Sequence, residues 1–257
     1  MTTDAAKAGS VLVTGGGRGI GAATSLLCAD RGWAVAVNYA SDAAAAEAVV
    51  ATILSRGGRA LALRADVADD AQVTAMFARL DRELPPLAGL VNNAGVVDRA
   101  ARVDAMTPAR LQRMFAINVF GSFFCAREAV RRMTTKAAGE GRRGGAIVNV
   151  SSAAAKLGGS GQYVDYAAAK GAIEAFTVGL AKEVAAEGIR VNAVRPGIIE
   201  TEIHASGGAP DRARQMAPLV PLQRAGSAGE VAAAIVWLLS DASSYTTGSI
   251  LEVSGGR

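Results

Sequence analysis

Histidine is all but missing from this 257-residue chain, in which His204 stands alone. A zinc site takes several ligands at characteristic spacing, and none is spaced so here, so no metal centre is expected and His204 reads as an ordinary loop residue. Cysteine is nearly as scarce: Cys28 and Cys125 each sit in an apolar helical stretch. Residues Met1 to Ser10 also lack the apolar core of a secretory signal, and a reducing cytoplasm is the expected compartment. Long hydrophobic runs are absent. Val11 to Val13, Ala34 to Val37 and Ala232 to Leu239 all fall short of the ~20 residues that span a bilayer, so no membrane partner is expected.

A strong excess of one charge is lacking too, with 27 basic against 23 acidic residues and a net charge of +4. Basic residues cluster only at Arg127, Arg131, Arg132, Lys136, Arg142 and Arg143, which read as a solvated helix end running into the glycine-rich loop Gly139 to Gly145. Nucleic acid is not an expected partner. No linker, low-complexity stretch or solenoid repeat divides the chain, and Ala43 to Ala48 reads as a surface helix of strong helix-formers.

What is present is a 51% hydrophobic chain in which short apolar runs alternate with Ala/Leu/Glu/Arg-rich helical stretches. Seven strands are predicted: Ser10 to Thr14, Trp33 to Tyr39, Ala60 to Arg64, Gly89 to Asn92, Ala146 to Ser151, Arg190 to Arg195 and Ser249 to Val253. The alternation predicts an α/β fold, with one domain over residues 1–257. Its Rossmann-type doubly wound sheet has seven parallel strands and helices on both faces. Residues 198–221 break the rhythm with scattered polar residues, Gly207-Gly208 and Pro210, and read as a substrate lid.

Thr14-Gly15-Gly16-Gly17-Arg18-Gly19-Ile20-Gly21 follows the first strand and opens the first helix. Glycines let the backbone turn sharply and approach a pyrophosphate, which the N–H groups of the helix start can bind. At the end of the second strand, Asn38, Tyr39 and Ser41 stand where a carboxylate would hold the ribose hydroxyls and repel a 2′-phosphate. With no carboxylate before Asp42, and with Arg18 placed to meet extra phosphate charge, NADP(H) is preferred and NAD(H) is the alternative.

Tyr166 and Lys170 lie one turn apart on one face of a helix predicted over Asp165 to Glu187. A phenol ionises near pH ~10, so acid–base work near neutrality calls for a cation beside it. Lys170 is that cation. Ser151 and Ser152 end the fifth strand, where open α/β sheets gather ligands, and one of them can hydrogen-bond a substrate oxygen. Asn118, in Ile117-Asn118-Val119, is costly in mid-helix, which fits a functional role.

The Thr-Gly-x-x-x-Gly-x-Gly spacing, Asn92-Asn93-Ala94-Gly95, Asn118, the serine and Tyr-x-x-x-Lys, in this order, resemble the short-chain dehydrogenase/reductase family along essentially the whole chain. The resemblance implies catalytic roles for Asn118, Ser152, Tyr166 and Lys170. Ser152 lies one residue further from the tyrosine than the family pattern places its serine, so Ser151 stays open as the alternative. It implies a cofactor site of Thr14, Gly15, Gly17, Arg18, Gly19, Ile20, Gly21, Asn38, Tyr39, Ser41, Asp66, Val67, Asn93, Ala94, Gly95, Tyr166, Lys170, Pro196, Gly197, Ile199 and Thr201. In the family Asp66-Val67 touch adenine, Pro196-Gly197 lie beside nicotinamide, and Asn118 holds a relay water. The implied activity is hydride transfer between nicotinamide and a secondary alcohol or ketone, with Tyr166 as general acid/base. Bacterial sugar-dehydrogenase-like and 3-oxoacyl-thioester-reductase-like members are the nearest in pattern.

The small-molecule substrate is expected to meet Ala153 to Tyr163, Val96, Val97 and the lid. A homotetramer is implied, pairing helices around Thr107 to Met133 and Asp165 to Glu187. The competing reading is a catalytically idle NADP(H)-binding sensor or scaffold, since a dinucleotide fold alone does not imply turnover.

Overall fold

The computed structural model describes residues 9–136 and 144–257. The first half alternates strictly: β1 (Ser10–Val13), α1 (Gly19–Asp30), β2 (Ala34–Tyr39), α2 (Ala43–Ser55), β3 (Ala60–Arg64), α3 (Asp70–Glu83) and β4 (Leu87–Asn92). The second half brings α4 (Pro108–Phe115), a π-helical turn (Ala116–Phe120), α5 (Gly121–Met133), β5 (Gly145–Val150), α6 (Ala154–Leu157), α7 (Val164–Val184) and β6 (Ile189–Pro196). Then follow β7 (Ile199–Glu200), α8 (Ile203–Ser206), α9 (Arg212–Met216), β8 (Gly226–Ser227), α10 (Ala228–Leu239) and β9 (Ile250–Val253).

All seven predicted strands join one parallel sheet in the order β3-β2-β1-β4-β5-β6-β9. The order reverses between β1 and β4, and doubly wound sheets bind ligands at such a reversal, outside the carboxyl ends of the strands. Side chains alternate across the sheet. Leu12, Ala36, Leu63, Leu90, Ile147 and Val191 face α3, α5 and α7, where Phe77 and Cys125 are fully buried. Val11, Val13, Val35, Val37, Val91 and Val148 face the side covered by α1, α2 and α10. Both faces are dry, which accounts for strand sequences that are near-continuous apolar runs. Burial pushes the Cys125 thiol up to about 12 and the Cys28 thiol higher still, so neither offers a thiolate.

The structure departs from expectation in three places. The segment predicted as an irregular lid contains α8, α9 and a 3-10 turn, and its base is pinned where Ile199–Glu200 pair in parallel with Gly226–Ser227. Helix α7 stops at Val184 and tightens into a 3-10 turn over Ala185–Glu187, closed by Gly188 at φ 75. The basic cluster on α5 is neutralised: Glu128, only 4% exposed, holds Arg127, Arg131 and Arg132, with Arg127 also reaching Asp70 and Arg132 also reaching Asp81. Lys136 pairs with Glu187, while Arg142 and Arg143 lie outside the described residues.

Among the described residues no helix is long and apolar enough to cross a membrane, and no group of three or more His, Cys, Asp or Glu side chains could hold a metal ion.

Candidate active site

The glycine turn is built from the inside. Gly15 and Gly19 take φ +59 and +50, a backbone that side chains disfavour. A Cβ at Gly21 would stand 2.2 Å from Gly15 O, so the first turn of α1 packs directly on the loop before it. Asn93 Nδ2 donates to Thr14 O (2.9 Å) and Gly15 O (3.1 Å), while Thr14 Oγ1 accepts from the N–H groups of Asn93 and Ala94, both at 3.0 Å. These bonds lock β1 to the end of β4. Helix α1 has no side-chain cap at Arg18, so the N–H groups of a twelve-residue helix are left to a ligand. A cap-free helix start behind a glycine cradle fits the pyrophosphate of a dinucleotide.

Of the residues predicted around that cradle, Arg18 is exposed and lies 3.7 Å from Asp42, Tyr39 is half-buried and Ser41 is exposed. Asp66 is exposed, its carboxylate accepting from Ala68 N. Two predicted contacts turn inward instead. Asn38 is 1% exposed: its Oδ1 accepts from Gly15 N and its Nδ2 donates to Leu63 O and Ala65 O. Val67 is buried against Gly121, where a Cβ would lie 2.7 Å from Val67 Cγ2. Their side chains shape the turn and the β3–α3 loop, and only their backbone is left to a ligand.

At the carboxyl ends of β4, β5 and β6 opens a cavity of about 410 Å³. Ile20, Asn93, Gly95, Ser152, Tyr166, Lys170, Pro196, Gly197, Ile199 and Thr201 all line it, so the structure gathers around one space predicted residues that lie up to 181 positions apart, Ile20 to Thr201. Thr201 also reaches the glycine turn, its Cγ2 3.2 Å from where a Gly19 Cβ would be.

The two serines part company. Ser151 is 2% exposed and its hydroxyl donates to Glu174 Oε1 (2.8 Å), a carboxylate held in turn by Arg195. Ser152 accepts from Ala154 N (3.1 Å) and lines the cavity together with Tyr166. Burial pushes the Tyr166 phenol up, with the Ser152 hydroxyl working against it. This differs from the expectation of a phenol dominated by Lys170. The Lys170 Nζ lies 5.6 Å from the Tyr166 ring centroid and donates to Val150 O at 2.8 Å. Burial itself draws the Lys170 ammonium down to about 8.

Asn118 sits in the π turn, and such turns often mark functional sites. Its Nδ2 donates to Val96 O (3.0 Å) and Met114 O (2.9 Å), and its Oδ1 accepts from Val96 N (3.2 Å). The side-chain amide of Asn118 is therefore engaged with protein at both ends. The Oδ1 nonetheless faces the Lys170 ammonium across Gly95: a Cβ there would lie 2.7 Å from Asn118 Oδ1 and 3.5 Å from Lys170 Nζ.

The sequence reading missed what anchors the start of α7. Asp165, whose side chain is 0% exposed, takes a bidentate grip from Arg110 (2.7 and 3.2 Å), and Arg110 also donates to Arg99 O (2.7 Å). An acidic residue in a first helical turn was the available signal; its partner, far away in sequence, was not. Tyr163, predicted near the substrate, lines the cavity with the Arg212 guanidinium 5.1 Å from its ring centroid. Arg212 and Arg257 also line the cavity and were not foreseen. The His204 side chain lies outside the described residues.

A family model described as enoyl-(acyl carrier protein) reductase matches residues 15–257. The chain is 55% identical to the Escherichia coli protein named "uncharacterized oxidoreductase YgfF" over 246 residues, 96% of this chain and 98% of that protein. It is 38% identical to a 3-oxoacyl-[acyl-carrier-protein] reductase of Synechocystis sp., covering 95% of each. Among solved structures, a short chain dehydrogenase from Burkholderia cenocepacia in complex with NADP superposes with a TM-score of 0.87 at 34% identity, covering 98% of each chain.

Proposed function

The chain belongs to the short-chain dehydrogenase/reductase family of oxidoreductases, and from that premise we propose that it interconverts a secondary alcohol and a ketone with NADP(H) as the preferred coenzyme. The observation that carries this reading is that Ser152 and Tyr166 line one cavity, with the Lys170 ammonium 5.6 Å from the Tyr166 ring centroid.

The glycine turn, the uncapped start of α1 and the walls formed by Asn93, Gly95, Pro196, Gly197, Ile199 and Thr201 would hold the dinucleotide. Its nicotinamide, when bound, supplies or accepts the hydride. The chain's own residues handle the oxygen and the proton. Ser152 holds the substrate oxygen within reach of Tyr166, and a phenol kept protonated by burial is ready to donate to that oxygen as a ketone is reduced. Lys170, still largely charged at neutral pH, offsets the negative charge left on the phenol oxygen. Asn118 acts as a positioning residue, fixing the Val96 backbone beside Gly95 and Lys170.

Arg18 beside the open end of β2 supports NADP(H), and the NADP named in the Burkholderia structure is consistent with it. Asp42, 3.7 Å from Arg18, tempers that preference, which keeps NAD(H) as the alternative. A homotetramer in the cytoplasm completes the proposal. Phe120 and Phe123, 52% and 44% exposed, with Phe123 stacked on Phe176 of α7, support pairing through these helices.

The test is NADPH and NADH oxidation followed at 340 nm against ketones, diketones, sugar lactones and acyl thioester models, with Tyr166→Phe alongside. A loss of about a hundredfold or more in kcat for the variant, with cofactor affinity retained, is expected. Turnover equal in wild type and Tyr166→Phe would refute the assignment, and tight NADPH binding with no turnover of any carbonyl would favour an idle binding protein.

A further inference from the structure

The cavity lined by Ser152 and Tyr166 has three cationic side chains on its wall, Lys170, Arg212 and Arg257, and no acidic side chain among its described lining residues. Lys170 is committed to Val150 O and the Tyr166 ring. Arg212 is braced by Gln162 Oε1 at 3.0 Å and by the Tyr163 ring, so its guanidinium is fixed at the wall. Arg257 is different: its Nη1 is buried and has no hydrogen-bond partner among the described residues. Buried polar groups without a partner are rare and costly, and a planar guanidinium is shaped to grip an oxyanion through two parallel bonds.

The cofactor's pyrophosphate does not answer this donor. The phosphate cradle is at the end of β1, whereas Arg257 follows β9, across β4, β5 and β6 at the other side of the sheet. Those four inter-strand steps amount to roughly 19 Å. Arg257 reaches the cavity from the wall where Gly197 packs on Ser254, next to the reacting pair.

We propose that Arg257, with Arg212 contributing to the field, binds an oxyanion carried by the substrate. The substrate is then a ketone or secondary alcohol bearing a carboxylate or phosphate. This rests on the reductase reading above.

The test uses the full chain with NADPH and matched ketones: acetoacetate against methyl acetoacetate, levulinate against methyl levulinate, and dihydroxyacetone phosphate against dihydroxyacetone. In wild type, kcat/KM is expected to favour the anion in at least one pair. Arg257→Gln should cut that anion-to-neutral ratio about ten- to a hundredfold, the loss of one charged hydrogen bond, with Arg257→Lys in between. The carboxylate and phosphate pairs separate the two kinds of anion. A ratio unchanged in Arg257→Gln, or a neutral ketone preferred in every pair, overturns the proposal.

A second measurement is independent of turnover: calorimetric binding of succinate and of inorganic phosphate to the NADP⁺-saturated protein. Binding weakened by Arg257→Gln, even where no ketone is reduced, upholds the anion site while the reductase reading fails. Ketone reduction with no Arg257-dependent anion binding overturns the anion site alone, and absence of both overturns both.

Discussion

Replacing Lys170 by methionine should make the protein more stable while it destroys the proposed chemistry. Lys170 is 4% exposed, and burial draws its pKa from the ordinary 10.5 to about 8. At 1.36 kcal/mol per pKa unit, holding the charged form inside the fold at neutral pH costs about 3 kcal/mol. Methionine matches the length of the stem and carries no charge. It also leaves Val150 O without the Nζ donor at 2.8 Å, a loss of about 1–2 kcal/mol. The net is a gain of about 1–2 kcal/mol, or a rise in Tm of about 3–6 °C for a domain of this size.

The pH dependence has a definite sign. A lysine whose folded pKa is depressed takes up a proton on unfolding, so wild-type stability rises with pH between about 8 and 10.5. The advantage of Lys170→Met should be full below pH 8 and fade as pH climbs through that window. Thermal unfolding at pH 7 and pH 10, at one protein concentration, measures both effects. A variant that melts below wild type at pH 7, or a Tm difference equal at the two pH values, would refute the reasoning.

Other perturbations test the rest of the site. Gly21→Ala places a Cβ 2.2 Å from Gly15 O, and the forced shift of α1 should weaken NADPH binding at least about tenfold and cost about 1–3 kcal/mol, read by fluorescence titration and urea unfolding. Arg110→Ala leaves the Asp165 carboxylate buried and unpaired; urea unfolding should show about 3–5 kcal/mol lost, and a change below 1 kcal/mol would mean the pair does not anchor α7. Arg18→Ala removes the exposed guanidinium beside the open end of β2, so the ratio of kcat/KM for NADPH over NADH should fall about tenfold; an unchanged ratio places the 2′-phosphate elsewhere.

Local physics made much of this protein legible from its sequence. The strands are near-continuous apolar runs because each is covered on both faces, so their number and parallel arrangement could be read without a structure. The glycine turn and the Tyr166–Lys170 pair were legible for a similar reason: their geometry is set within one turn or one helix.

The choice between Ser151 and Ser152 was not local. Successive side chains at a strand end point to opposite sides, so a one-residue difference sends one hydroxyl to Glu174 and leaves the other on the cavity wall it shares with Tyr166. Asn38 looked like a cofactor contact because it closes β2, yet the packing of β3 beside it turned its amide into the fold. The Arg110 clamp on Asp165 joins residues 55 apart, and Arg257 enters the cavity from the far side of the sheet. No pattern along the chain encodes such meetings, because the order in which strands pair decides which distant side chains share a space. The sequence by itself determined the layers, the glycine turn and the placing of Tyr166 one helical turn from Lys170, whereas only the tertiary structure decided which serine shares the cavity with the tyrosine and which charges line it.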